Sequence, residues 1–364
     1  MVSAIAQVST PAAVGLIATF ILSQSAIASP QTFSQWCQAQ ATLPIPTRQT
    51  IVAAMAVVEQ TDCQQAEVQL QALDRLDLGQ QEISDLRPLS SLTNLKTLKL
   101  FGNRIADISP LSSLTELTHI NLSHNRLSDV SAIAPLINLS YLDLAGNRIT
   151  DISPLKDLVN LNDLNLLSNR VEEVAPISSL ENLIWLELSD NRIENLSPLE
   201  NLSYLKHLGL ASNRIQDISP LTHLDWLQGL NLSGNRLEDI APLRGMTYLD
   251  ALRLDNNKIT DLAPIGGMES LVSLSLENNF ISDVSSLAGL NNLTQLDLSH
   301  NQLSSLSSLA PLTQLNWLDL DSNQVTDPDP LASLTALQFL DLSGNQVSAA
   351  ALPANLTSIK NLKI

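Results

Sequence analysis

The sequence has little of what several common functional classes require. Aromatic residues make up 3% of its 364 residues, only two cysteines occur, and 19 basic residues stand against 37 acidic ones, for a formal net charge of −18. Such a charge repels phosphate, which excludes nucleic-acid binding by charge neutralisation and disfavours anionic membranes. Two cysteines are too few for a disulfide-rich scaffold or a cysteine-based zinc module. No run of 18 apolar residues occurs, so we expect no membrane-spanning helix.

Leucine is what the chain has in abundance, and it recurs with a period of 22 residues. From Leu73 to Leu337 this period opens 13 full units that span 73–358, and a partial unit follows to Ile364. The typical unit reads L-x-x-L-x-L-x-x-N-x-I-x-D-I-x-P-L. A register held over so many units predicts one repeat solenoid, in which each coil contributes a strand to a parallel sheet. Leucines at unit positions 1, 4 and 6 should point into the core, and positions 3, 5, 7 and 8 should face outward.

Three polar features of the unit have structural explanations. Asparagine occupies position 9 in every unit from Asn103 to Asn345. Its amide both donates and accepts, so we predict a ladder of asparagines bonded to the backbone of neighbouring coils. Ser-Pro at positions 15 and 16 predicts a short helical turn on the outer face, with serine as the N-cap. Basic residues at position 10 and acidic residues at position 13 predict a mutually neutralising network.

The repeat pattern resembles the internalin class of bacterial leucine-rich-repeat proteins. It is also similar to the phosphatase-regulator type, which has the same repeat length. The resemblance covers 73–364 and implies an α/β fold, a right-handed leucine-rich-repeat solenoid. Such a solenoid has a curved parallel β-sheet on its concave face, short 3-10 or helical turns on its convex face, and an N-terminal α-helical cap. It also implies an exported protein that recognises another protein through the concave face.

Residues 1–28 have the pattern of a secretory signal peptide. The apolar run Ala12–Leu22 contains no charge, and the small residues Ala26 and Ala28 suit cleavage after Ala28. No basic residue precedes the run, which leaves an uncleaved apolar tail as the alternative. We therefore predict an exported protein, located in the periplasm, on the cell surface or outside the cell.

Residues 29–72 lie outside the repeat and predict a helical cap over the first coil. One helix is expected to follow Thr47 as its N-cap, and a second to follow Asp62. In an oxidising compartment Cys37 and Cys63 would pair and staple this cap. Two buried free thiols are the alternative.

The scarce aromatic residues concentrate on the predicted concave face, at position 3. Exposed aromatic side chains are favoured interface anchors, so we predict a ligand-binding group there. It comprises His119, Tyr141, Asp143, Asp163, Trp185, Glu187 and His207. A secondary acidic and aromatic patch comprises Asp297, Trp317, Asp319, Asp321, Phe339 and Asp341. Its stacked carboxylates would either bind a cation or simply be solvated, and we favour solvation.

No catalytic motif is present. The five histidines are scattered along the chain, and there is no H-E-x-x-H, no G-x-S-x-G and no phosphate-binding loop. We expect a non-enzymatic, monomeric recognition module, without cofactor or metal, that binds a protein or a surface glycan on its concave face. The alternatives are an intracellular regulatory scaffold of the phosphatase-regulator type and a passive structural envelope protein.

Overall fold

The computed structural model describes residues 30–364, and the predicted signal peptide lies outside the described residues. Within that range three α-helices precede the repeats: α1 (Phe33–Gln38), α2 (Ile45–Val57) and α3 (Cys63–Gln71). No described helix is long and apolar enough to cross a membrane. Phe33, Ile51 and Leu70 are fully buried and belong to the same hydrophobic core as the first coil. The helices therefore cover the apolar end that a solenoid would otherwise expose.

The cap is held by local polar contacts as well as by packing. Asp62 caps α3 as predicted, because its carboxylate accepts hydrogen bonds from the backbone N–H groups of Gln64 and Gln65 at 3.0 and 2.9 Å. The prediction that Thr47 caps α2 was wrong. Prolines pre-set the backbone at the start of that helix, which begins at Ile45, so Thr47 lies inside its first turns. The Thr47 hydroxyl instead donates to the Asp85 carboxylate at 2.5 Å.

Cys37 and Cys63 form a disulfide that joins α1 to the start of α3, with their Cα atoms 5.6 Å apart. The structure thus contains the predicted pairing, and it describes no free cysteine in residues 30–364. The bond closes a sequence separation of 26 residues across the cap. It fixes the short helix α1 to the rest of the cap.

The described repeats form one parallel sheet whose 14 strands lie in chain order. Each strand is three residues long, and partners are 22 residues apart, as in Leu76 opposite Leu98. The strands are β1 Arg75–Asp77, β2 Thr97–Lys99, β3 His119–Asn121, β4 Tyr141–Asp143, β5 Asp163–Asn165, β6 Trp185–Glu187, β7 His207–Gly209, β8 Gly229–Asn231, β9 Ala251–Arg253, β10 Ser273–Ser275, β11 Gln295–Asp297, β12 Trp317–Asp319, β13 Phe339–Asp341 and β14 Asn361–Lys363. Because the register never slips, each unit position forms a straight row across the sheet.

The asparagine ladder is present as predicted. In a typical coil Asn147 Oδ1 accepts from the backbone N–H of Leu127 at 3.0 Å. Its Nδ2 donates to the carbonyls of Leu122 and Leu144 at 3.1 and 2.9 Å. Each such side chain joins its own coil to the preceding one, and therefore replaces hydrogen bonds that the turning backbone cannot make with itself.

Short 3-10 turns form the convex side, but their caps differ from the prediction. The carboxylate at position 13 accepts from the backbone N–H two residues later, as in Asp107 with Ser109 at 2.8 Å. Acid, not serine, therefore caps the turn. Because that carboxylate points into the turn, the cations of position 10 pair elsewhere. Where ion pairs form, the partner belongs to the preceding coil, as in Arg192 with Glu172 at 3.3 Å and Lys258 with Glu238 at 3.1 Å.

Candidate functional site

Positions 3 and 5 of each unit, the first and last residues of each strand, face away from the core and form the concave surface. The register places His119, Tyr141, Asp163, Trp185 and His207 side by side on β3 to β7. The rings of His119 and Tyr141 stack with centroids 5.9 Å apart. Asp163 lies between the two predicted anchors, so Tyr141 and Trp185 are two strands apart and do not form a single stack. The predicted group is a continuous row rather than a compact cluster.

Asp143 belongs more to the sheet than to the surface. Only 8% of this residue is exposed. Its carboxylate accepts hydrogen bonds from Asn121 Nδ2 and from the backbone N–H of Ala145, both at 3.1 Å. Burial raises the pKa of Asp143 above its ordinary value. This predicted binding residue is therefore placed to hold neighbouring strands together and offers a ligand little surface.

Glu187 and His207 lean over glycines on the next strands. Glu187 Oε1 accepts from the backbone N–H of Ser189 at 2.8 Å, and its carboxylate lies directly over Gly209, where any Cβ would collide with it. The imidazole of His207 covers Gly229 in the same way, with Nδ1 2.9 Å from where a Cβ would stand. The two glycines therefore let both polar side chains lie flat against the sheet.

These glycines begin a depression across the concave surface that we call the trough. Its floor consists of small residues on β7 to β10: Gly209 and Gly229, which Glu187 and His207 overlie, and Ala251, Ser273 and Ser275. A hollow of about 180 Å³ extends from Trp185 to Arg253. A second of about 480 Å³ extends from Arg253 to Trp317, and the two share Ala251 and Arg253. The trough thus connects the predicted binding row to the secondary patch.

Arg253 stands in the middle of the trough. Its side chain is 64% exposed and its Nε lies 4.0 Å from Asp255. Asp255 is itself buried and engaged by the Ser233 hydroxyl at 2.9 Å and by the Ser275 hydroxyl. The guanidinium therefore presents most of its surface to whatever occupies the trough. Position 5 carries acids at both walls, Glu187 and Asp297, so Arg253 is a cation between two acidic ends.

The secondary patch is more tightly assembled than the first group. The rings of Trp317 and Phe339 stack with centroids 4.9 Å apart and planes within 8°. Lys363 lies over the Phe339 ring at 5.4 Å and donates to the Asp341 carboxylate at 2.8 Å. The C-terminal strand β14 therefore contributes a cation that the sequence analysis did not assign to this patch.

The row of carboxylates on β11 to β13 is unevenly neutralised. Burial, together with the like charges of Asp297 and Asp341, raises the pKa of Asp319 to about 6. Burial also opposes ionisation of Asp341, but hydrogen bonds from Lys363 and Ser343, together with the charge of Lys363, outweigh this and lower its pKa. Asp321 lies 3.3 Å from His300 Nε2. No group of three or more potential ligands in residues 30–364 is arranged to hold a metal ion.

Comparisons with known proteins identify the family. A family pattern described as leucine rich repeats in two copies matches residues 93–135, 137–179, 181–223, 225–267 and 313–360, and a leucine rich repeat pattern matches 247–303 and 269–325. An internalin (inlF) from Listeria monocytogenes has a similar crystal structure, with a TM-score of 0.84 and 34% identity over 89% of this chain and 98% of that one. The chain belongs to the internalin-like leucine-rich-repeat family.

Other solved structures agree with this internalin-like fold. Internalin C2 from the same species is 33% identical over 56% of this chain and 90% of that one, with a TM-score of 0.52. The plant peptide hormone receptor RGFR1 in complex with RGF2 has a TM-score of 0.65 at 21% identity, over 80% of this chain and 55% of that one, and is similar in fold alone. No curated protein sequence matches the chain.

The trough is the part of this internalin-like surface that sequence reasoning missed. The signal was present, since position 3 reads Gly229, Ala251 and Ser273 in three successive units. A search for large anchoring side chains passes over small ones. On a surface of parallel rows, however, a run of small residues forms a hollow between larger neighbours.

Proposed function

We propose that this chain is an exported, non-enzymatic recognition protein that binds a protein ligand along its concave sheet. The observation that carries the proposal is the trough, a floor of small residues between the projecting side chains of Trp185 and Trp317. Aromatic side chains beside a hollow are typical anchors, because a ligand that fills the hollow removes them from water.

The dimensions and charges of the trough indicate the length and the charge pattern of the segment that it would bind. Trp185 on β6 and Trp317 on β12 are six strand spacings apart, or about 29 Å, which an extended segment of about nine residues would span. Glu187 and Asp297 are acidic at the two walls, and Arg253 is basic between them. Complementary charge therefore favours a segment with basic residues towards its ends and an acidic or polar centre.

Two further observations support export and the absence of catalysis. The disulfide between Cys37 and Cys63 suits an oxidising compartment, which agrees with the signal-like pattern of residues 1–28. The trough is shallow and open to solvent, so it does not enclose a bound group away from water as catalytic sites generally do. We therefore assign the acids and histidines of the concave face to recognition.

The test uses the full chain, immobilised, with envelope and secreted extracts of its source as the probe. Trp185→Ala combined with Trp317→Ala removes both anchors, and Ala251→Trp fills the floor between them. Each change should reduce capture of the principal ligand about tenfold or more, because interface aromatics carry much of the binding free energy. Phe280→Ala is the matched control, since Phe280 is 51% exposed and lies outside the concave rows.

A photo-crosslinking amino acid at position 251 gives an independent readout, because it should attach to the ligand segment seated in the trough. Unchanged capture by both concave variants, with the melting curve also unchanged, would refute the trough as the binding site. A ligand that every variant captures equally well and that does not crosslink to position 251 would move recognition to another surface.

A further inference from the structure

Three exposed aromatic side chains lie in consecutive coils at the edge of the solenoid, each three residues before a strand. Tyr204, Trp226 and Tyr248 are 64%, 57% and 55% exposed. The rings of Trp226 and Tyr248 stack with centroids 5.2 Å apart. All three occupy the last position of the 22-residue unit, off the concave face. We call this row the aromatic stripe.

The three aromatic residues of the stripe occupy a unit position that often holds a structural asparagine. In five of the other ten units the same position holds asparagine, whose Nδ2 donates to a backbone carbonyl of the preceding coil, as Asn182 does to Val159 at 2.8 Å. The others are Asn94, Asn138, Asn160 and Asn292. The aromatic side chains forgo this bond and expose apolar surface, in a chain with only 3% aromatic residues. Contiguous exposed apolar surface of this kind marks an interaction site.

The exposed apolar residues around the aromatic stripe are arranged symmetrically on the two sides of Trp226. A tyrosine lies one coil away on each side, and an exposed aliphatic residue lies two coils away on each side. These are Ile184, 39% exposed, and Val272, 42% exposed, and both occupy unit position 2. An isologous dimer needs this pattern, because a twofold axis through the centre brings each residue against its counterpart on the far side.

The charges around the two tyrosines are opposite in sign at equivalent positions. Position 18 is Glu200 in the Tyr204 coil and Arg244 in the Tyr248 coil, and position 2 is Lys206 after Tyr204 and Asp250 after Tyr248. All four side chains are exposed, and none makes an ion pair within residues 30–364. The twofold axis would place Glu200 opposite Arg244 of the partner, and Lys206 opposite Asp250 of the partner.

We propose that the aromatic stripe is the centre of a twofold-symmetric dimer of this chain. From Ile184 to Val272 the interface spans five coils, about 19 Å of the solenoid. Asp225, next to Trp226, meets its own copy near the axis, and this like-charge contact weakens the dimer. The dimer replaces the monomer that the sequence analysis favoured. The proposal concerns a surface separate from the trough and does not depend on the proposed function.

Sedimentation equilibrium of the full chain over a concentration series tests the dimer. The wild-type protein should pass from monomer to dimer as concentration rises. Trp226→Ala should raise the dissociation constant about 30-fold or more, because both copies lose a central anchor. Phe280→Ala, which removes an exposed aromatic outside the aromatic stripe, should leave the constant unchanged. A wild-type protein that stays monomeric up to its solubility limit would overturn the proposal, as would a dimer indifferent to Trp226→Ala.

Charge exchange tests the symmetry itself. Glu200→Arg alone should weaken the dimer about tenfold, because it places like charges opposite each other at two equivalent contacts. Glu200→Arg combined with Arg244→Glu should restore the wild-type constant, since the opposite-charge pairs return with their order reversed. Failure of the double variant to recover would exclude the twofold pairing even if the protein is a dimer. Because the trough is untouched, ligand capture should be the same for all these variants.

Discussion

At the scale of the residue, the ionised form of Asp319 is disfavoured in the acidic row on the concave face. Asp341 is paired with Lys363 at 2.8 Å, whereas Asp319 lies between Asp297 and Asp341 without a cation of its own in the described chain. Burial, and after it these like charges, raise its pKa from 3.8 to about 6. A folded-state pKa above the unfolded value means that the folded protein holds the proton more tightly. The stability that Asp319 contributes is accordingly greatest below about pH 4 and is lost as pH rises through about 6.

Asp319→Asn should remove this loss of stability at neutral pH. At a pH of about 7.5 we expect the variant to be more stable than wild type by about 1 kcal/mol, a value reduced from the nominal shift because the carboxylate is partly exposed and screened by solvent. At a pH of about 5 the advantage should shrink, since wild-type Asp319 is then mostly protonated. Urea unfolding at both pH values measures the difference. Asp163→Asn, at a concave position flanked by Tyr141 and Trp185, is the control; an equal gain at both pH values for Asp319→Asn would contradict the explanation.

Side-chain orientation was predictable at this scale, but side-chain environment was not. Strict alternation in the strands placed Tyr141, Trp185 and Trp317 on the concave face. The burial of Asp143 and the exposure of Arg253 depend on neighbours 22 residues away, such as Asn121 with Asp143 and Asn231 beside Arg253. These cross-coil contacts decide whether a polar residue is a structural partner or an open binding group. A single unit of the repeat does not specify them.

At the scale of the element, the asparagine ladder joins one coil to the next. Asn213 Oδ1 accepts from the backbone N–H of Ile193 at 3.0 Å, and its Nδ2 donates to the carbonyls of Leu188 and Leu210, both at 3.0 Å. Asn213 is 8% exposed. The buried N–H of Ile193 therefore depends on this amide, whereas the carbonyls of Leu188 and Leu210 also accept from Asn191 and Asn235 Nδ2 at 3.0 and 2.9 Å.

Asn213→Ala should lower the free energy of unfolding by about 2 kcal/mol, because it leaves the buried N–H of Ile193 without a partner and removes one of the two donors from each carbonyl. Asn182→Ala is the matched control, since it loses one exposed bond to Val159 and should cost less than about 1 kcal/mol. Denaturant unfolding gives both values, and hydrogen exchange should locate the lost protection in the coils around Asn213. Equal losses for the two variants would mean that the ladder contributes no more than surface bonds do.

The helical cap shows why elements were predicted unevenly. The start of α3 was found because Asp62 stands directly before an apolar helical face. Helix α1 has only six residues, too few to be stable alone, and depends on a capping box between Thr32 and Gln35 and on the burial of Phe33. In the usual chain-entropy estimate, the disulfide that anchors it, with a sequence separation of 26 residues, contributes about 3.5 kcal/mol. Tertiary contacts, not local sequence, therefore decide that α1 forms.

At the scale of the whole molecule, curvature and repetition divide the protein into separate surfaces. The concave face carries the trough, the edge carries the aromatic stripe, and the convex side carries capped 3-10 turns. Because every position forms a row, a change of residue type in a few consecutive units creates a patch without disturbing the core. The fold follows from the period alone, whereas each patch follows from local departures from it. This is why the solenoid was predictable in full and the trough was not.

The compartment and the cap make one linked prediction for the whole chain. A structural disulfide persists in an oxidising compartment, and a signal-like segment at residues 1–28 would deliver the chain to one. The native protein, isolated from its own source, should therefore begin at Ser29 and gain two hydrogen atoms on reduction of Cys37 and Cys63. Intact mass with and without reductant measures both. A chain that retains residues 1–28 and is unchanged by reductant would contradict export and favour an intracellular scaffold. A chain that begins at Ser29 yet is unchanged by reductant would contradict the disulfide alone.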